Sequence, residues 1–225
     1  MNRLAETSDS FFVEKQARIP TRTLLESLRQ ECPSEYFMPV YYLDDEVSGP
    51  LLVAKSPESS EQLRNAYGSN QFTFVFHCWC KVHTECPEQW TCDLSIAWDP
   101  TKGRAYPSKD GKKSATQFTV QKRWGKFLFL ECQTNYLRHQ QLQIHTHFSY
   151  VDILGDTLWC QEPHYLYLED FKRFVKNSQH KPIVSGLHLH LSRVTFSLKN
   201  TPFEIQLQSP KHWERIEKFL EKYAK

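Results

Sequence analysis

Residues 77–92 read HCWCKVHTECPEQWTC, which places His77, Cys78, Cys80, His83, Cys86 and Cys92 in one short stretch. Thiolates and imidazoles are preferred zinc donors, and four of them held tetrahedrally make a structural site. On an extended strand Cys78 and Cys80 project from the same side. His83 and Cys86 then fall in the following turn, and Cys92 opens the next strand. Such a hairpin can close a Cys₃His or Cys₄ site. The candidate ligands are therefore Cys78, Cys80, His83, Cys86 and Cys92, and the expected cofactor is zinc. A reading without metal stands beside it, because cysteine also packs in cores as a small apolar side chain.

A second pattern appears twice, as HTHFS at 145–149 and HLHLS at 188–192. On strands, His145, His147 and Ser149 share one side, and His188, His190 and Ser192 share another. Neighbouring strands would then line one surface with four imidazoles and two hydroxyls. The simplest reading is a solvated or partner-facing strand surface. The pairs His147-Phe148-Ser149 and His190-Leu191-Ser192 are similar to the His-x-Ser/Thr motifs of the two-histidine (2H) phosphoesterases. That resemblance implies one histidine as base and one as acid on a cyclic phosphate or RNA phosphodiester. His145 and His147 followed by Asp152 resemble part of the cupin metal motif. The cysteine hairpin followed by His-x-His resembles the zinc cores of WRKY- and FLYWCH-type domains, in which His145 and His147 would serve as ligands. The expectation is that His147 and His190 do not converge on one phosphorus, since nothing nearby reads as a substrate pocket.

The third feature is electrostatic. Lys102, Arg104, Lys109, Lys112, Lys113, Lys122, Arg123 and Lys126 are opposed only by Asp110, in a chain whose net charge is just +2. Tyr106, Phe118 and Trp124 are interleaved with them. Cations neutralise phosphates and aromatic rings stack on bases. Lys109, Lys112, Lys113, Lys122, Arg123, Trp124 and Lys126 are the candidate nucleic-acid contacts, against the alternative of a solvated lysine-rich loop. The acidic run Asp44-Asp45-Glu46 reads as a solvated turn.

These residues need a scaffold, and the composition supplies one. The chain has 225 residues, 40% of them hydrophobic, enough for one domain with one core. Seven glycines and the lack of any GxGxxG or GxxxxGK[ST] pattern argue against a glycine-rich phosphate loop. No apolar run is long enough to span a membrane, and the N-terminus lacks a signal-peptide core. With seven cysteines, an odd number, the expected compartment is reducing, the cytoplasm or nucleus.

Residues 1–18 read as a polar tail and 19–225 as a single α+β domain, mainly antiparallel sheet with peripheral helices. Helices are expected over 21–29, 56–67 and 169–176, and in an amphipathic segment after Ser209. Strands are expected over 36–43, 72–80, 92–98, 116–122, 126–132, 142–153, 157–160, 165–168, 187–198 and 203–207. Together these features favour binding over catalysis. The leading expectation is a zinc-stabilised regulatory protein that engages nucleic acid through 102–126. The alternatives are a protein–protein adaptor or viral-type accessory factor acting on a host protein, and a 2H phosphoesterase-like RNA hydrolase. No family is named by these motifs.

Overall fold

The computed structural model describes residues 3–160, 162–171, 181–198 and 201–224. In chain order its elements are β1 (Arg3–Glu6), β2 (Ser10–Lys15), α1 (Thr21–Glu31), β3 (Met38–Pro39), β4 (Gly49–Ala54), α2 (Pro57–Gly68), β5 (Phe72–Val82), β6 (Gln89–Cys92), β7 (Ile96–Asp99), β8 (Arg104–Pro107), β9 (Thr116–Trp124), β10 (Phe127–Thr134), α3 (Gln141–His147), β11 (Val151–Ile153), β12 (Leu189–Leu198), β13 (Thr201–Gln206) and α4 (Glu214–Tyr223). A four-stranded sheet runs β1-β2-β4-β3. A seven-stranded sheet runs β13-β12-β5-β10-β9-β6, with β11 added against β5. The β7–β8 ribbon stands apart. The named strands pair antiparallel throughout, so the fold is the α+β class expected.

The long strand β5 is the spine. Its alternation sends Phe72, Phe74, Phe76, Cys78 and Cys80 into the main core, where they meet Leu51 and Val53 of β4. Trp79 on the opposite side is also buried, because Trp213, just ahead of α4, and Ile216 and Leu220 of α4 cover it. The stripe seen after Ser209 is thus the face that seals the sheet. Ser209 itself does not cap that helix. Its Oγ lies 3.0 Å from His77 Nδ1, and a short 3₁₀ turn over Lys211–Trp213 precedes α4. Helix α2 begins as its Ser-Pro start foretells. The Ser56 side chain accepts from Ser59 N and the Ser59 side chain accepts from Ser56 N, a capping box worth about 1 kcal/mol.

The two sheets meet where β4 crosses β12. Leu191 N donates to Ser48 O over 2.8 Å. Gly49, at φ +143°, passes so close that a Cβ there would stand 2.5 Å from Leu191 Cβ. Only glycine fits that crossing.

Several expectations fail. The 1–18 segment is not a tail: Phe11, Phe12 and Val13 are buried, and β2 is an inner strand of its sheet. Residues 142–153 do not form one strand but the helix α3 followed by the short β11. Within 36–43 only Met38–Pro39 pairs as strand, and residues 157–160 and 165–168 carry none. Of the helix expected at 169–176, residues 172–176 lie outside the described residues, and Leu168–Asp170 forms a 3₁₀ turn. Among the described residues, no helix is long and apolar enough to cross a membrane.

Candidate active site

The turn that leads into β4 is held from below by a lysine. Lys15, the last residue of β2, is fully buried. Its Nζ donates to the carbonyls of Asp44 at 3.1 Å, Asp45 at 2.9 Å, Val47 at 2.6 Å and Gln16 at 3.3 Å. Burial drags its pKa down to about 8, while Asp45, Asp44 and Glu46 pull it back up. The acidic run is therefore not a simple solvated turn. Its backbone wraps a buried ammonium, and Asp45 and Glu46 are left exposed while Asp44 points into a groove.

That groove is formed with the segment leading into α3. Asp44 Oδ2 accepts from Gln140 N at 2.8 Å, and Oδ1 lies 3.1 Å from His139 Nδ1. Gln140 can aim its N–H there because it adopts a left-handed conformation, φ 55° and ψ 20°, at the helix start. Its neighbours fix the segment. Gln141 Nε2 donates to Thr116 Oγ1 at 3.1 Å and Thr134 Oγ1 at 3.0 Å, while its Oε1 accepts from Arg138 N at 3.0 Å. Gln140 Oε1 accepts from Ala105 N at 3.1 Å, and Leu137 N donates to the Tyr67 hydroxyl at 3.1 Å. Three glutamines are buried here, each satisfied, as buried amides must be. The Asp44 carboxylate raises the His139 pKa, burial opposing it in part, and Trp98 packs on the His139 ring at 4.6 Å.

Asp44 stands at the junction of two clefts of about 570 and 710 Å³ that share Tyr42, Trp98 and His139. Tyr42 and Trp98 are exposed aromatics. Arg64, Lys112 and Arg138 line the second cleft. The result is a carboxylate of fixed orientation, 29% exposed, beside flat rings and cations. Such a site can seat an unstacked base on an aromatic face, bind its phosphates, and set a carboxylate against its sugar. Sequence reasoning missed Asp44, Gln140 and Gln141. The available signal was an acidic residue just ahead of the buried run GPLLVA, and a polar cluster RHQQLQ too rich in amides for a strand.

The expected metal ligands do not converge. Cys78 and Cys80 share the core face of β5, where Cys78 Sγ lies 3.4 Å from Cys80 Sγ and 3.5 Å from Cys132 Sγ. His83 lies past the strand end, 2.5 Å from Asp152 Oδ2. Cys86 receives a contact from Arg123 at 3.6 Å, and Cys92 is half-buried in β6. Among the described residues, no close group of three potential ligands contains more than one of the five. Strand alternation puts two thiols inside the core and leaves the rest outside.

The two His-x-His-x-Ser phrases do not form one surface either. The first lies at the end of α3 and the second enters β12. His145 is buried, donating from Nε2 to Leu94 O at 3.0 Å and meeting Thr116 Oγ1 at Nδ1. His147 pairs with Asp152, and His190 Nδ1 lies 2.8 Å from Ser48 Oγ. Burial pushes both His188 and His190 down to about 4, so they stay neutral. Ser149 and Ser192 donate to the carbonyls of His145 and Val75.

The basic block divides. Lys109, Lys112 and Lys113 lie ahead of β9, and of the three Lys112 lines the second cleft. Lys122, Arg123, Trp124 and Lys126 lie at the far end of the β9–β10 hairpin. There Lys122 is ion-paired with Glu217, Arg123 with Glu88, and Trp124 and Lys126 line a separate hollow. Six residues of β9, 116–121, lie between the groups, about 20 Å of strand.

Residues 12–148, more than half of the chain, match the family model for RNA pseudouridylate synthase. A Bacillus subtilis (strain 168) protein, the uncharacterized RNA pseudouridine synthase YlyB, is 29% identical over 122 residues. That match takes in 52% of this chain but only 39% of the relative's length. Human RNA Pseudouridylate Synthase Domain Containing 4 shares the fold with a TM-score of 0.73 at 18% identity, over 96% of this chain and 92% of that one. Human RNA Pseudouridylate Synthase Domain Containing 1 does so with a TM-score of 0.68 at 18% identity, over 92% and 83%. The matched segment contains Asp44 and the whole of α3. These matches overturn the expected non-enzymatic regulator, the adaptor or accessory factor, and the 2H phosphoesterase. The chain belongs to the RNA pseudouridylate synthase family.

Proposed function

We propose that this chain isomerises uridine to pseudouridine within RNA, with Asp44 as its catalytic carboxylate. The observation that carries the reading is the placement of Asp44, aimed by Gln140 N–H and His139 into the junction of two aromatic- and cation-lined clefts. The chemistry suits a carboxylate. The N1–C1′ bond breaks, the base turns, a C5–C1′ bond forms, C5 gives up its proton and N1 gains one. Atoms and electrons balance without an oxidant or a reductant. As N1 leaves, positive charge grows at C1′, and a carboxylate beside it stabilises that charge. The same group is then available to accept the C5 proton.

The rings of Tyr42 and Trp98 offer the base a stacking face once it leaves its own stack. Arg64, Lys112 and Arg138 supply the phosphate contacts, and the Arg138 guanidinium is braced 4.0 Å over the Tyr136 ring. The Lys109–Lys113 half of the basic block is the half that meets RNA. An RNA substrate accords with an intracellular site of action.

The test is tritium release from RNA labelled at uridine C5, prepared from a host lacking this gene so that its sites are unmodified. Wild type should release tritium, and Asp44→Asn should lose about three orders of magnitude or more, as when a charge-stabilising group is removed from an active site. No release by folded wild type sinks the reading, as does full activity in Asp44→Asn.

A further inference from the structure

Asp152 sits at the other end of α3, in a setting that the proposed reaction does not use. Three imidazoles surround its carboxylate. His83 Nε2 lies 2.5 Å and His164 Nε2 3.4 Å from Oδ2, while His147 Nδ1 lies 2.8 Å from Oδ1. The ligand atoms of His83, Asp152 and His164 all fall within 4.8 Å of one another. We propose that His83, Asp152 and His164 bind a zinc ion, with His147 as the positioning residue that orients the carboxylate.

The geometry supports a metal over a plain hydrogen-bond network. Zinc with bonds of about 2.0–2.1 Å sets its ligand atoms about 3.3 Å apart, the separation already present between His164 and Asp152. His83 needs to withdraw by less than about 1 Å to match. The carboxylate is only 10% exposed, and three imidazoles converge on it, two of them on the one oxygen Oδ2. Zinc-bound groups are held by an outer partner, and the His147 Nδ1–H on the free oxygen is that partner.

The three ligands come from three segments. His83 follows β5, with its N–H on Tyr150 O at 3.1 Å. Asp152 lies in β11, and His164 lies in the loop beyond, where its carbonyl accepts from Gly155 N at 2.8 Å. Gly155, at φ +77°, is pressed so close to Gly186 that no Cβ could fit. An ion here ties that loop and the central sheet to the end of α3. Zinc was the expected metal, but of the five expected ligands only His83 takes part.

The site stands apart from the Asp44 reading, and its test does not use activity. Reduced full-length protein, stripped with a chelator, is titrated with zinc by calorimetry and assayed for bound metal. About one equivalent per chain is expected, with a thermal midpoint that rises as zinc is added. His164→Ala keeps the backbone acceptor for Gly155 and should weaken binding by more than 100-fold, whereas His147→Ala should cost about 10- to 100-fold. Cobalt in place of zinc should show the visible bands of a nitrogen–oxygen tetrahedral site. Folded wild type that takes up no zinc overturns the proposal, and so does His164→Ala binding like wild type. A thiolate-to-cobalt band that vanishes in Cys160→Ser overturns this ligand set, since it places the ion on the adjacent triad of His147, Asp152 and Cys160.

Discussion

Two aspartates mark the ends of one seven-residue helix, and their surroundings differ in a way that assigns their roles. Asp44 meets one backbone N–H and one imidazole, and its remaining surface opens to a groove. Asp152 meets three imidazoles and is nearly closed off. A carboxylate with spare lone pairs and an open approach is able to act on a substrate. One that meets three imidazoles and is only 10% exposed is placed to hold its neighbours instead. The same α3 serves both, with Gln140 ahead of its first turn and His147 closing its last.

The largest effects should separate action from support at the Asp44 end. Asp44→Asn keeps the shape and an acceptor for Gln140 N–H, so stability should change by less than about 1 kcal/mol while tritium release collapses. Lys15→Met should do the reverse. It removes the ammonium from four carbonyls; those of Asp44, Asp45 and Gln16 keep the backbone N–H of Val47, Arg18 and Ile19, while Val47 O loses its 2.6 Å donor, which should cost about 1–3 kcal/mol in urea unfolding. A Lys15→Met protein as stable as wild type would show that the turn does not depend on this lysine, and the account of how Asp44 is aimed would fail.

The contrast also explains what the sequence could reveal. Elements whose signal is local were legible: the Ser-Pro start of α2, the period-two run of β5, and the apolar stripe of α4. Helix α3 was not. At seven residues it is too short for a 3.6-residue period to show, and His145-x-His147 alternates as a strand would. Asp44 was hidden because the lysine beneath it lies 29 residues earlier, and Asp44-Asp45-Glu46 alone cannot be told from a solvated turn. The buried β2 was lost in a polar N-terminus, its Phe-Phe-Val run too short to stand out. The zinc hairpin failed for a geometric reason. The period that puts Cys78 and Cys80 on one side also aims them into the core, away from His83.

A smaller effect should divide the basic block. Lys112→Glu, at the cleft, should weaken RNA binding and lower the slope of log affinity against log salt by about 1, one phosphate contact. Lys122→Glu breaks a pair with Glu217 some distance from the groove and should leave that slope unchanged. Equal losses from both would restore the whole 102–126 block as one surface and displace the cleft as the place where RNA sits.

The smallest effect concerns His139, which joins the aromatic wall of the groove to Asp44. The carboxylate raises its folded-state pKa above the ordinary 6.5, which is near the unfolded value. A raised folded pKa means that the folded protein binds the proton more tightly. The stabilisation is therefore complete below pH 6.5 and disappears as pH climbs through the raised value. The imidazole is 56% exposed, so solvent screening holds the gain to less than about 1 kcal/mol. Urea unfolding of wild type and His139→Gln, compared at about pH 5.5 and about pH 8.5, measures it. The wild-type advantage should be larger at the lower pH and shrink at the higher one. An advantage that is flat with pH, or that grows as pH rises, would mean that His139 touches Asp44 without sharing its charge. The open aspartate would then be aimed by the Gln140 N–H alone.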